Sequence, residues 1–380
     1  MQLNTTTLRT FKELGVSANL IKGLNDLKIT TPTEIQNEVI PLLMNANIDL
    51  VGQAQTGTGK TAAYGLPLLS RIDPSKKVVQ ALVLCPTREL GQQVAKQLFK
   101  FTKYTDKIFT EAVFGGAQID RQIQALKRPT HIVVATPGRL IDLIKRKAVD
   151  LYNVKTIVLD EADEMLSMGF KNDLETILEY VKNVDSKWLF SATLPHGIKQ
   201  IINSYLAEDA HRIEISGKNT VNKNIEHKFL ICDEQDKLTV LLQFLKSENE
   251  NRGIVFCKTK AATQKLAKQL MAKNVPADGI HGDLKQKERD KVMRAFKNEN
   301  LQILVATDLA ARGIDVEALA FVVHYQLPDK EEYYTHRSGR TARAGMRGLS
   351  LSIVTTTELK QLRYFEKALG ISFDQIRQVR

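Results

Sequence analysis

The chain has 380 residues with 54 Lys and Arg against 43 Asp and Glu, so its net charge of +11 predicts a polyanionic partner and its length more than one core. Cys85, Cys232 and Cys257 show no CxxC spacing, which argues against a disulfide framework or a zinc site and predicts reduced thiols in a cytoplasmic protein. No segment approaches the ~18 apolar residues of a membrane helix, and the opening MQLNTTTLRTF lacks a secretory apolar stretch.

In chain order, Thr33 and Gln36 carry the signature of a capping box ahead of the helical pattern EIQNEVIPLL. DLV at 49–51 predicts a short strand and TAAYGLPLLSRI from Thr61 a helix, with the glycine-rich AQTGTGKT of 54–61 joining them. That context is a phosphate cradle at a helix N-terminus. Gly57 and Gly59 let the backbone curl with its amides inward, Thr56 and Thr58 complete the loop, and Lys60 supplies charge near terminal phosphates. The Thr61 hydroxyl can ligate Mg²⁺. Ala54 stands where the strict pattern has glycine, so the first bend must form without one.

Downstream, short apolar runs alternate with helical patterns: ALVLC at 81, HIVVAT at 131, TIVLD at 156, WLFSAT at 188, GIVFC at 253, LQILVAT at 301 and FVVHY at 321. This is the rhythm of an α/β protein with parallel sheets crossed by helices, and LSLSIV at 349–354 is read as its last strand. The run IVL at 157–159 delivers Asp160 and Glu161 to a strand end. There Asp160 would hold Mg²⁺ through water, and Glu161 would orient or deprotonate an attacking water. A glycine loop alone is often a turn and an acid pair alone often a solvated helix start; together they form the two halves of a nucleoside triphosphate site.

An internal repeat follows. VLCPTRELGQQVAKQL at 83–98 resembles VFCKTKAATQKLAKQL at 255–270, and VVAT at 133–136 recurs as LVAT at 304–307, which predicts two domains of one fold. The polar SGKNTVNKN of 216–224 is the expected linker between domains 1–215 and 225–380. The cradle occurs only in the first copy, so the second must contribute something else. It offers HRSGRTARAG at 336–345, where Arg337, Arg340 and Arg343 recur every third residue and are expected to share one helical stripe. In isolation such a triplet is a solvated helix face; in a cradle-less twin domain it points to guanidinium groups acting on a phosphoryl group.

With QTGTGKT, DEAD at 160–163, SAT at 191–193, VATDLAARGID at 305–315 and HRSGRTAR in order, the chain closely resembles the DEAD-box ATP-dependent RNA helicases over nearly its whole length. PTREL at 86–90, Gly115 and Gly116, TPGRL at 136–140, and HGD at 281–283 followed by Gln286 and Arg289 add to the match. The resemblance implies two tandem RecA-like domains joined by a short linker, with ATP and Mg²⁺ as cofactors and RNA as partner. Residue by residue, it makes Phe11 and Gln36 the adenine reader, Gly313 and Asp315 a ribose contact, and Arg340 and Arg343 the fingers on the terminal phosphate. Ser191 and Thr193 would link the acid pair to domain closure. RNA would be gripped at Pro86, Thr87 and Arg88, at Gly115 and Gly116, at Thr136, Pro137 and Arg139, at Gly282, Asp283, Gln286 and Arg289, and at Thr307 and Arg312. Thr136 as cap with Pro137 at the first helical position makes an amide nest for a phosphate, and such contacts are blind to base sequence. The chain departs from the family pattern at Lys28 and Ile29, where glycine and an aromatic are usual, and at Ala342, a glycine position whose methyl is expected to fit a helix.

Two other readings share these motifs: an ATP-gated RNA clamp, and a DNA translocase of the wider superfamily, the latter disfavoured by DEAD itself and by the adenine reader. The expected output is local duplex unwinding by a monomer without membrane association. Ribosome or RNA-decay factors are candidate partners, and were the natural protein longer, an accessory domain choosing the RNA target would lie beyond Arg380.

Overall fold

The computed structural model describes residues 9–55, 57–181, 184–215, 224–311, 319–342 and 346–376. The chain divides into two compact units, Met1–Ile215 and Ser216–Arg380.

In the first unit the strands are β1 (Leu50–Gln53), β2 (Ala81–Leu84), β3 (Thr110–Val113), β4 (Ile132–Ala135), β5 (Thr156–Leu159), β6 (Ser186–Ser191) and β7 (His211–Glu214). They form one sheet in the order β3-β4-β2-β5-β6-β1-β7, every pairing parallel. Because successive side chains alternate between faces, β2 sends Ala81 and Val83 into one core and Leu82 and Leu84 into another. The first core is closed by helices Glu34–Asn45, Lys60–Ser70 and Arg88–Phe101, the second by Pro137–Lys145, Lys171–Tyr180 and His196–Tyr205. Burial on both faces explains why β2, β4 and β5 read as unbroken apolar runs.

The second unit contains β8 (Ile225–Ile231), β9 (Gly253–Phe256), β10 (Ala277–Ile280), β11 (Ile303–Ala306), β12 (Phe321–His324), β13 (Gly348–Val354) and β14 (Asp374–Gln375). Their order, β10-β11-β9-β12-β13-β8-β14, repeats the first sheet position for position. The repeat found in the sequence is therefore structural. β2 and β9 each end in a buried cysteine, Cys85 or Cys257, and lead through Thr87 or Thr259 into a helix. Each threonine caps its helix by accepting from the amide three residues on, at 3.3 and 3.1 Å. All three cysteines are free thiols, and burial pushes Cys257 up to about 12.

One expectation about the strands is corrected. LSLSIV is not the last strand: the chain returns to pair Asp374 and Gln375 with Lys228 and Phe229 as β14. Among the described residues β3, β7, β10 and β14 are the sheet edges, and exposure in β3, β7 and β14 favours polar residues over the apolar run that betrays a central strand.

Candidate functional site

Parallel strands place all their carboxyl ends at one edge of a sheet, and the loops leaving β1 to β6 collect there. The loop after β1 is the cradle. Gly57 and Gly59 have φ of 82° and 91°, the left-handed region that glycine enters without penalty. A Cβ on Gly59 would also lie 2.3 Å from Gln36 Nε2, so this position excludes side chains twice over. Ala54 has no positive φ and is buried in the first core, so the first bend needs no glycine. Thr58 Oγ1 donates to the Gln55 carbonyl at 2.8 Å. Lys60, only 6% exposed, donates from Nζ to the Ala54 carbonyl at 2.8 Å, closing the cradle on itself.

Asp160 leaves β5 beside this loop. It is 2% exposed; Oδ2 accepts from the Tyr64 phenol at 2.8 Å, while Oδ1 is buried without a partner. Burial pushes its carboxyl up, opposed by the Lys60 charge and the Tyr64 hydrogen bond. A buried, uncompensated carboxylate oxygen next to the Thr61 turn fits a divalent cation held through water. Glu161 follows with φ 51° and ψ 52°, strain that a non-glycine residue bears at the start of helix Ala162–Ser167.

The third acid, Asp163, was not singled out in the sequence, yet it organises the neighbourhood. Its Oδ2 accepts from both the amide and the hydroxyl of Thr193 at 2.8 Å, and its own amide donates to Ser191 Oγ at 3.2 Å. Ser191 in turn donates to the Thr193 carbonyl at 2.6 Å. Ser191 and Thr193 thus both join Asp163.

Gln36 is 3% exposed and does two things at once: Oε1 accepts from the Thr33 amide, the capping box, and Nε2 donates to the Gly59 carbonyl, both at 3.0 Å. Phe11 is 3% exposed and belongs to the first core, in one cluster with Leu14, Leu20 and Ile35. Thr56, Arg312, Gly313, Asp315 and Arg343 lie outside the described residues.

The RNA candidates of the first unit also sit at the carboxyl edge. Pro86, Thr87 and Arg88 start the helix after β2, with the Arg88 guanidinium 4.7 Å from the Phe114 ring centroid. Thr136 precedes Pro137 at the head of its helix, but its side chain makes no cap bond; Oγ1 instead accepts from the Gly115 amide at 3.4 Å. Gly116 has φ 78°. Arg139 bonds Gln122 Oε1 at 2.8 Å and the Ala117 carbonyl at 3.1 Å, and its buried Nε has no partner. An open groove of about 1090 Å³ lined by Phe99, Lys100, Phe109 and Arg128 lies at the opposite end of this sheet, away from the cradle.

In the second unit, Gly282 and Asp283 follow β10, and Asp283 accepts from Lys260 Nζ at 2.6 Å. Gln286 and Arg289 lie on the next helix, bonded to Asp290 and to the Ala310 carbonyl, and Thr307 Oγ1 accepts from the Ala310 amide. The arginine stripe is corrected: the helix ends at Ser338 with Gly339 as its cap, so Arg340 sits in a turn beyond it. Arg337, 1% exposed, instead clamps Asp308 through Nε at 2.5 Å and Nη2 at 2.8 Å and donates to the Gln326 carbonyl at 2.7 Å. It is a structural tie between two segments. Arg340 is 8% exposed.

Residues 33–201 match the family model described as DEAD/DEAH box helicase, and residues 236–345 the one described as helicase conserved C-terminal domain. The chain is 42% identical over 369 residues to DEAD-box ATP-dependent RNA helicase CshA of Bacillus cereus, covering 97% of this chain and 70% of that protein. The chain belongs to the DEAD-box helicase family. CshA of Bacillus subtilis is 41% identical over 97% of this chain and 74% of its own length. Among solved structures, S. cerevisiae Dbp5 bound to RNA and ADP BeF3 superposes with a TM-score of 0.88 at 30% identity, covering 97% of this chain and 95% of that one. Mss116p bound to ssRNA and AMP-PNP gives 0.86 at 26% identity, covering 99% and 81%. The tandem RecA-like fold is thereby established.

Two departures from the DEAD-box pattern now have a physical reading. Lys28 has φ 58° and Ala342 φ 55°, so both positions where the family uses glycine are left-handed turns, and here each bears strain. Ala342 is therefore not helical, and its methyl is buried at 3% exposure in the core beside Leu327 and Tyr334. Ile29 packs against the first core.

Proposed function

We propose that this DEAD-box helicase is an RNA-dependent ATPase that unwinds short RNA duplexes locally, with ATP and RNA driving closure of its two RecA-like domains. We take these domains as 1–215 and 225–380 with the linker at 216–224. The observation that carries the reading is the cradle of Gly57, Gly59 and Lys60 beside a buried Asp160 whose Oδ1 lacks a partner.

In this reading phosphate replaces the Ala54 carbonyl as the partner of Lys60, and the amides of residues 57–61 line the phosphate chain. Thr61 and Asp160 hold Mg²⁺, which when bound neutralises phosphate charge. Glu161 takes the proton of the attacking water. Arg340 and Arg343 stabilise charge on the departing phosphoryl group, and Gly313 and Asp315 contact the ribose. Gln36 has one amide hydrogen and one oxygen lone pair left over for an adenine edge, since its other two are taken by Gly59 and Thr33. Ser191, Thr193 and Asp163 tie the acid segment to β6 and couple hydrolysis to strand release. RNA backbone is held by the helix starts at Thr87, Pro137 and Thr307, by Arg88, Arg139, Arg289 and Arg312, and by the loops at Gly115–Gly116 and Gly282–Asp283. Partners in ribosome assembly or RNA decay, and action as a monomer, complete the proposal. Within the described residues no helix is long and apolar enough to cross a membrane.

The test is hydrolysis with and without RNA, together with displacement of a short duplex strand, by the whole chain and by Lys60→Ala. Loss of RNA-stimulated hydrolysis by about 10²-fold or more is expected, the scale of removing one preorganised charge contact. A variant that keeps RNA-stimulated turnover would overturn the assignment of the cradle.

A further inference from the structure

The mechanism leaves one buried polar side chain of the site unused. Tyr64 lies in helix Lys60–Ser70, three residues after Thr61 and four after Lys60, so the three share one helical face. It is fully buried, and its phenol donates to Asp160 Oδ2 at 2.8 Å. One hydroxyl thus touches the acid assigned to the cation.

The ring around that hydroxyl is fixed. Phe190 of β6 packs against Tyr64 with centroids 5.2 Å apart and planes at 47°. Phe190 has that place because residue 52 of β1 is glycine; a Cβ there would lie 2.7 Å from the Phe190 ring. The sequence therefore builds a stack, Gly52 to Phe190 to Tyr64, that ends on one carboxylate oxygen. With Oδ2 engaged by the phenol, Oδ1 is the Asp160 oxygen that is buried without a partner.

We infer that Tyr64 is a positioning residue for the divalent cation of the nucleotide site: its phenol fixes the Asp160 carboxylate before the cation arrives. This rests on the assignment of Thr61 and Asp160 above. Without the phenol, the carboxylate loses one of the contacts that orient it and the cation must complete its ordering on binding, so the loss falls on the cation-dependent part of nucleotide affinity.

Tyr64→Phe deletes the hydroxyl and keeps the ring against Phe190. The experiment measures binding of fluorescently labelled ADP to the full chain, in EDTA and across a Mg²⁺ titration. For Tyr64→Phe the expected result is ADP affinity in EDTA within twofold of the parent, and a Mg²⁺ midpoint for tightening raised about 5- to 10-fold, the loss of one charge-assisted hydrogen bond. Equal midpoints within twofold would overturn the inference, and so would an equal loss of affinity with and without Mg²⁺, which marks a packing role only. Asp160→Asn serves as the reference. If it leaves the midpoint unmoved, the cation assignment itself fails; if it moves the midpoint and Tyr64→Phe does not, only the role of Tyr64 fails.

Discussion

The second unit should lose stability as pH falls, through a buried histidine network beneath the arginine segment. His227 Nδ1 meets the Tyr334 hydroxyl at 2.7 Å, and Tyr334 meets Ser350, which also contacts His324 and Ser338 at 3.1 and 2.9 Å. His324 is fully buried with Nδ1 unpartnered. Burial lowers His227 from 6.5 to about 4, and burial, then the charge of Arg337, pushes His324 well down. The native fold therefore keeps both imidazoles neutral while the unfolded chain protonates them below its ordinary value. Stability is complete above pH 6.5, falls as pH drops below it, and reaches its full penalty near pH 4. For His227 alone the shift corresponds to about 2 kcal/mol at pH 5 and about 3 kcal/mol at pH 4. The single tryptophan, Trp188, lies in β6 of the first unit, so its fluorescence does not report on this network. Hydrogen exchange of peptides from β12 and β13, corrected for intrinsic rates, does. Between pH 8 and pH 5 their opening free energy should fall by about 2 kcal/mol or more, a roughly 30-fold loss of protection, and His227→Gln should shrink that fall. A parent protein with the same opening free energy at both pH values, or a variant with an undiminished fall, would refute the argument.

Two further predictions follow from the first unit. Lys28 is exposed and left-handed just past helix Ala18–Asp26, so Lys28→Gly should stabilise that unit by about 0.5–1 kcal/mol, read as a shift in the denaturant midpoint of Trp188 fluorescence; a lower midpoint would count against strain there. Thr193→Val removes the hydroxyl bond to Asp163 but keeps the amide bond to the same oxygen, so it should cost about 1–2 kcal/mol and reduce strand displacement more than ATP turnover. A proportional fall in both activities would show that this network serves stability and not coupling.

Legibility in the sequence followed burial. Central strands such as β2 and β5, apolar on both faces, announced themselves, and so did the cradle, because glycine, lysine and threonine at fixed spacing leave few alternatives. Edge strands did not, since one open side removes the need for an apolar run. The arginine triplet misled because helical spacing takes no account of Gly339, which ends the helix between Arg337 and Arg340. Tyr64 and Asp163 were missed because their meaning lies in partners 96 and 30 residues away, Asp160 and Thr193, which no local pattern encodes.

The matching sheet orders pose the question of why the two copies differ at the helix start after the corresponding strands β1 and β8, and the difference shows in a lysine that both share. Lys60 opens the helix after β1, and Lys237 opens the helix after β8, its counterpart in the sheet. Lys60 rests on a neutral backbone carbonyl, a partner that an incoming phosphate readily replaces. Lys237 is 1% exposed and held by two carboxylates, Glu234 at 2.9 Å and Glu358 at 3.0 Å. Displacing them would leave two acidic groups beside an anionic ligand, one of them half-buried, a cost no phosphate contact offsets. The second copy thus keeps the scaffold and the helix start but uses its lysine to hold helix Leu359–Leu369 to the sheet through Glu358.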